Sequence, residues 1–411
     1  MDLRLNRSEV HPSGNVIITG SKSESNRMLI LQALFEKLQI DNLSNSDDTQ
    51  VLQKALSSND EVIDVHHAGT AMRFLTAYLS IQESRTSVLT GSSRMKERPI
   101  GVLVDALRVL GADISYKEKE GFPPLLIKGK ELDKHQVTLK ADVSSQYISA
   151  LLLIAPVLKN GLQLTLEGEI TSIPYINMTL SLLNELGVET EFVDNVINVN
   201  SFKSNIDALK SATFVVESDW SSASYFYSIV ALSDIGTTIE LSSYKQNSFQ
   251  GDSSLVEIYK EFGVTTKFKN NSILLIKTEN GLGYKSFNLN KSPDIAQTIV
   301  VTAFAMGISC DLYGLHTLKI KETDRLEALK TELTKFGAEV IITNDSLHLK
   351  TASSVKSAVN VDTYQDHRMA MAFAPLALKT DLVINESEVV SKSYPEFWND
   401  LKTLGIQINK I

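Results

Sequence analysis

Positive charge in this 411-residue sequence gathers where helices are predicted to begin. In GSKSESNR, running from Gly20 to Arg27, Lys22 and Arg27 sit at the start of the apolar stretch MLILQALF. Arg94, Lys96 and Arg98 stand just ahead of Pro99 in GSSRMKERPIG, and Lys319, Lys321 and Arg325 surround the start of KIKETDRLEAL. His367 and Arg368 follow Asp366 in DHRMAMAF, and Lys392 lies between Ser391 and Ser393, ahead of Pro395. A helix N-terminus is already the positive end of a dipole, so a cation there costs about 0.3–1 kcal/mol in an empty protein. The free N–H groups at that end also make an anion site, and one charge-assisted hydrogen bond contributes about 1.5–3 kcal/mol. The set therefore predicts a highly anionic ligand bearing phosphate or carboxylate groups, gripped by forked arginines. Ser23, Ser144 and Ser145 add hydroxyls at other helix starts.

Two acids interrupt this basic inventory: Asp294, just after Pro293, and Glu322, between Lys321 and Thr323. A carboxylate facing an anion pocket repels the ligand, so an inward-facing one needs a proton-transfer task. Lys22 is a third candidate for such a task, because neighbouring cations would lower its pKa. Glu24 reads as an outward-facing first-turn acid that partly offsets the dipole penalty. No metal is expected: His66 and His67 are adjacent, but the other histidines are scattered and form no ligand set. No cofactor is expected either, since GLG at Gly281 to Gly283 is too short for a dinucleotide fingerprint. Ser144-Ser145-Gln146 has no nearby His or Asp in sequence, which leaves a serine nucleophile unsupported.

The elements that must position these residues repeat along the chain. Five segments share an amphipathic helix, a Leu-Gly or Phe-Gly pair and a short β-branched strand. Their glycines, Gly111, Gly187, Gly263, Gly337 and Gly405, recur 76, 76, 74 and 68 residues apart. Glycine is expected just past a helix C-terminus, where the chain turns left-handed. A second series of strongly apolar helices interleaves with the first, marked by Gly69, Ser144, Ser221, Asp294 and Asp366, with GSKSESNRMLILQALF as an earlier member. Helices that apolar are surrounded by protein, so six α/β units with helices inside and sheets outside are predicted. Three units per domain is the even division: 20–216 as one domain, and 1–19 with 217–411 as the other, the N-terminal strand returning to the second half.

A net charge of −9 argues against a dedicated nucleic-acid binder. The apolar run from Ile148 to Leu158 is too short to span a bilayer, so no membrane is expected. One cysteine, Cys310, permits no internal disulfide, which suits a reducing cytoplasm.

Taken in order, GSKSESNR, AGTAMR, RMKERP, SSQY, KETDRL and DHRMAM resemble the 5-enolpyruvylshikimate-3-phosphate synthase family over nearly the whole chain. The resemblance implies a two-domain inside-out α/β barrel of six βαβαββ repeats, with substrates in the interdomain cleft. It implies transfer of the enolpyruvyl group of phosphoenolpyruvate to the 5-hydroxyl of shikimate 3-phosphate by a cytoplasmic monomer that needs no cofactor. Carried over by position, Lys22, Gly69, Arg94, Gln146, Arg325, Arg368 and Lys392 would hold phosphoenolpyruvate. Lys22, Ser23, Arg27, Ser144, Ser145, Gln146, Ser172, Asp294 and Lys321 would hold shikimate 3-phosphate, with Tyr175 nearby. Lys22, Asp294 and Glu322 would be the catalytic groups. Gly69 bounds the family's glyphosate pocket, which implies sensitivity to that inhibitor. The chain departs from the family pattern at His67, where asparagine is common, at Phe74, where many members have proline, and at Thr317, often asparagine. Transfer to UDP-N-acetylglucosamine is the nearest alternative, but GSSRMKERP lacks the cysteine common in that sister enzyme. A non-catalytic anion-binding module would not need Asp294 and Glu322, and an RNA-end-processing protein of similar architecture would show a basic, aromatic surface.

Overall fold

A computed structural model describes residues 1–140, 144–168, 170, 173–202, 213–351 and 354–411. The chain divides into two compact units, one formed by Met1–Gly20 with Glu217–Ile411 and the other by Ser21–Val216. Each is an α/β assembly of apolar helices enclosed by small sheets.

In the contiguous unit the enclosed helices are Lys22–Leu34, Gly69–Ser80 and Ser145–Ile154, which pack on one another. In the discontinuous unit they are Trp220–Leu232, Ala296–Ala305 and His367–Phe373, with the second against the other two. Every residue of Trp220–Leu232 is buried, as its sequence WSSASYFYSIVAL requires: apolar side chains on all faces, and small serines whose hydroxyls are satisfied, Ser224 by the Ser221 carbonyl and Ser222 by the Asp219 side chain. The amphipathic helices alternate with these, for example Gly101–Leu110 and Arg325–Lys335. Gly111, Gly187, Gly263, Gly337 and Gly405 all take positive φ, at 113°, 85°, 79°, 100° and 106°. A side chain there would meet the steric penalty that glycine escapes, which is why the repeat shows in the sequence.

The sheets share one strand order. Val62–Asp64 runs parallel to Thr86–Thr90, which pairs antiparallel with Leu125–Lys128, itself antiparallel to Asp113–Tyr116. Four other sheets repeat that plan. The strand Leu3–Leu5 takes a central place in one, between Leu382–Ile384 and Ile408–Lys410. The sixth sheet departs from the expected βαβαββ repeat: among the described residues it holds only Gln39–Asp41 and Thr213–Val215, paired in parallel. Helix Asp47–Ser57 is followed by strand Val62–Asp64 after four residues, which leaves no room for a hairpin.

Candidate active site

The contiguous unit gathers Lys22, Ser23 and Arg27 on the first turns of one buried helix. Arg27 is 3% exposed and is satisfied from several directions. Its Nε donates to Thr179 Oγ1 at 2.8 Å, one terminal nitrogen to the Ser23 carbonyl at 2.8 Å, and the other to Ser149 Oγ at 2.9 Å and the Tyr175 carbonyl at 3.4 Å. The guanidinium also lies 5.5 Å from the Phe74 ring centroid and 5.9 Å from that of Tyr175. Phe74, one of the departures from the family pattern, thus supplies a cation–π face beneath Arg27. Burial pulls this guanidinium down to about 10, opposed by the charges of Tyr175 and Glu24.

Glu24 does not face outward as its first-turn position suggested; it is 1% exposed. The helix is covered on all sides from Glu24 to Leu31, so no outward face exists there. Lys22 meets an acid in place of the expected neighbouring cations: its ammonium lies 3.6 Å from Asp48 Oδ2. The other oxygen of Asp48 is 3.9 Å from His67 Nε2, and His67 Nδ1 is 3.1 Å from His66 Nδ1. Asp48, in the first turn of Asp47–Ser57, was not anticipated, because an acid there looks like an ordinary dipole partner.

Gly69 opens the helix Gly69–Ser80, and the side chain of Gln146 donates to Thr70 Oγ1 beside it at 3.2 Å. Ser144 caps the helix that carries Ser145 and Gln146, accepting from the Gln146 N–H. The cation against Gly69 is Arg98: a Cβ on Gly69 would fall 2.6 Å from its terminal nitrogen. Arg94, the expected anion ligand of this loop, has a side chain that is 78% exposed and paired with Glu97 at 2.9 Å. The short helix Ser93–Lys96 turns Arg94 outward, and the chain after it brings Arg98 back over the glycine. Ser172 lies outside the described residues.

In the discontinuous unit Arg325 is the hub. It begins the helix Arg325–Lys335, whose cap Asp324 accepts from the N–H groups of Leu326 and Glu327. Its guanidinium donates to Asp366 Oδ2 at 2.6 Å, Asp294 Oδ1 at 2.8 Å and Glu322 Oε2 at 2.8 Å. Burial opposes its charge, but Asp366, Glu322 and Asp294 together more than offset that and hold its pKa above the usual arginine value. Lys321 reaches Asp294 at 3.4 Å, and Arg368 donates to the Asp294 carbonyl at 3.1 Å. Arg368 also donates to Ser221 Oγ at 3.1 Å, and Lys392 to the Gln365 carbonyl at 2.8 Å, one residue before Asp366. Thr317, a family departure, keeps a buried hydroxyl without a hydrogen-bond partner among the described residues.

The structure therefore brings Asp294, Lys321, Glu322, Arg325 and Arg368 together, with Lys392 adjoining, and Lys22, Ser23 and Arg27 together, with Gly69, Gln146 and Ser144 at linked helix starts. Chemically, the first cluster, with Asp366 behind Arg325, places three carboxylates among four cations, which suits holding a polyanion while moving protons. Among the described residues no group of three His, Cys, Asp or Glu side chains is placed to hold a metal. No helix among them is long and apolar enough to cross a membrane.

Helices enclosed by repeated small sheets are the architecture of enolpyruvyl transferases. The chain matches an EPSP synthase structure from Acinetobacter baumannii with a TM-score of 0.82 at 20% identity, covering 100% of both chains. It matches the enolpyruvyl transferase NikO of Streptomyces tendae with a TM-score of 0.75 at 13% identity, covering 99% of this chain and 98% of that one. Residues 52–401 match the EPSP synthase (3-phosphoshikimate 1-carboxyvinyltransferase) family. A 3-phosphoshikimate 1-carboxyvinyltransferase of Bacteroides fragilis is 48% identical over 395 residues, 95% of each chain. One from a Sulfurovum species is 38% identical, over 95% of this chain and 96% of its own. The chain belongs to the EPSP synthase family.

Proposed function

We propose that this chain transfers the enolpyruvyl group of phosphoenolpyruvate to the 5-hydroxyl of shikimate 3-phosphate, releasing phosphate. The observation that carries the reading is the pair of carboxylates, Asp294 and Glu322, bound to one buried guanidinium among Lys321 and Arg368. In the forward reaction the hydroxyl oxygen adds to the enol carbon and a proton adds to the methylene. The resulting tetrahedral phosphate then loses a methyl proton and expels inorganic phosphate. Asp294 holds the substrate hydroxyl and takes its proton; Lys22 and Glu322 exchange the proton at the methylene carbon. Arg98, Gln146, Arg325, Arg368 and Lys392 grip phosphoenolpyruvate, with Gly69 leaving room beside Arg98. Ser23, Arg27, Ser144, Ser145, Ser172 and Lys321 hold shikimate 3-phosphate. The buried, unpaired Cys310 fits a cytoplasmic setting, and sizing chromatography tests the expectation of a monomer.

The decisive assay is phosphate release when both substrates are supplied, comparing the native chain with Asp294→Asn and Glu322→Gln. Normal turnover in both variants would sink the catalytic assignment. Arg98→Ala should raise KM for phosphoenolpyruvate by about tenfold or more, the loss of one charge-assisted contact. Arg94→Ala should leave it within about twofold, the scale of an exposed ion pair. The reverse order would return the grip to Arg94.

A further inference from the structure

One buried acid beside the Arg325 cluster has no part in the chemistry above. Asp252, on the short turn Gly251–Ser254, is 9% exposed. Its Oδ2 accepts a hydrogen bond from Ser221 Oγ, and that same hydroxyl oxygen accepts from Arg368 at 3.1 Å. One serine hydroxyl therefore joins the carboxyl to a guanidinium that also touches the Asp294 carbonyl and lies 3.8 Å from Asp294 Oδ2.

We propose that Asp252 is a positioning residue that acts on Arg368 through the Ser221 hydroxyl and takes up a proton when an anionic substrate group binds against Arg368. The inference rests on the reading above that Arg368 holds a substrate anion. With Asp252 ionised, Ser221 must donate to it, and the carboxylate competes with an incoming anion for the positive charge of Arg368. With Asp252 protonated, that competition ends and Arg368 faces the anion with one fewer negative neighbour. Since a ligand shifts only an equilibrium whose two states it binds differently, anion binding and proton binding must strengthen one another.

The surroundings place this exchange near neutrality. Burial, then the charge of Asp294, push the Asp252 carboxyl up to about 7, against the pull of Arg368 and the Ser221 hydrogen bond; Asp219 adds a smaller push upward. The charged and titratable groups facing it are thus Asp219 from the start of Trp220–Leu232, Asp294 from Pro293–Ile295 and Arg368 from His367–Phe373. Beyond Asp294 lie Lys321 and Arg325, and beside Arg368 lies His367, 3.9 Å from Asp366.

Sulfate is a suitable probe, because it binds as an anion and exchanges no proton in this range. Its inhibition constant against phosphoenolpyruvate, at saturating shikimate 3-phosphate, should rise about tenfold between about pH 6 and pH 8 in the native chain. Asp252→Asn should flatten that profile to within about twofold, and Ser221→Ala should at least halve its slope on the logarithmic scale. A flat native profile overturns the proposal without needing any variant to fold. An unchanged slope in Asp252→Asn assigns the proton elsewhere, to His367 for example, and also overturns it. An unchanged slope in Ser221→Ala overturns the relay through the hydroxyl. Arg368→Lys separates the underlying reading: an unaltered KM for phosphoenolpyruvate would refute the anion grip itself.

Discussion

A buried arginine lies at the heart of the proposed substrate surface of each unit, Arg27 in one and Arg325 in the other, and the two are held by opposite means. Arg27 is surrounded by hydroxyls, carbonyls and aromatic faces, and burial lowers its pKa to about 10. Arg325 is clasped by three carboxylates, which raise its pKa despite equal burial. Neutral dipoles fix a guanidinium without cancelling its charge, so Arg27 stays strongly attractive to an anion. Carboxylates fix it more firmly and leave acids at hand, which is what the proposed proton transfers require. A polyanionic substrate pair needs one surface of each kind.

The comparison is open to attack from the strongest contact downward. Asp366→Ala should be the most damaging change, because Asp366 is fully buried and its loss takes from the buried Arg325 one of its three carboxylate partners. Breaking such a pair costs about 3–5 kcal/mol, readable as a lowered urea midpoint together with lost phosphate release. Thr179→Val removes a neutral acceptor from Arg27, and with it the hydroxyl's own bond to the Tyr175 carbonyl, and should cost about 1–3 kcal/mol by the same measurement. Equal losses in the two variants would erase the distinction between ionic and dipolar anchoring.

The smallest effect concerns pH. The folded carboxyl of Asp252 is pushed up to about 7, well above the usual carboxylate range, by burial first and then by Asp294. Across that window the folded chain keeps a proton that the unfolded chain has released. Its contribution to stability is therefore fully present below about pH 4 and is lost as pH rises through about 7. Asp252→Asn should flatten that component, seen as a smaller fall in urea midpoint between about pH 5 and pH 8 than in the native chain. An identical fall in both chains would mean that Asp252 does not carry it.

The repeat was legible because left-handed turns demand glycine, and Gly111, Gly187, Gly263, Gly337 and Gly405 all adopt positive φ. The enclosed helices were legible because WSSASYFYSIVAL and its counterparts have no polar face to offer water. The site was legible as residue types but less so as directions. Arg94 and Arg98 lie four apart in one loop, and nothing in their spacing says which turns toward Gly69. Glu24 misled because a first-turn acid is usually solvated, whereas its helix is covered on every side. Asp48 and Asp252 gave no signal, since each becomes distinctive only through partners distant in sequence: Lys22 and His67 for one, Ser221 for the other. The missing hairpin was readable in principle, from the four residues between Ser57 and Val62.

The strand Leu3–Leu5 is flanked on both sides by partners from the far end of the chain, with Leu3 opposite Ile384 and Lys410. During synthesis on a ribosome, this strand must therefore wait until Leu382–Ile384 and Ile408–Lys410 have been made before its sheet can close. Ser21–Val216, by contrast, contains all its own strand partners as soon as Val216 has left the exit tunnel. The polypeptide thus carries a built-in order of completion: the inserted half is free to finish first, while the half that encloses it in sequence stays open until Ile408–Lys410 has been made.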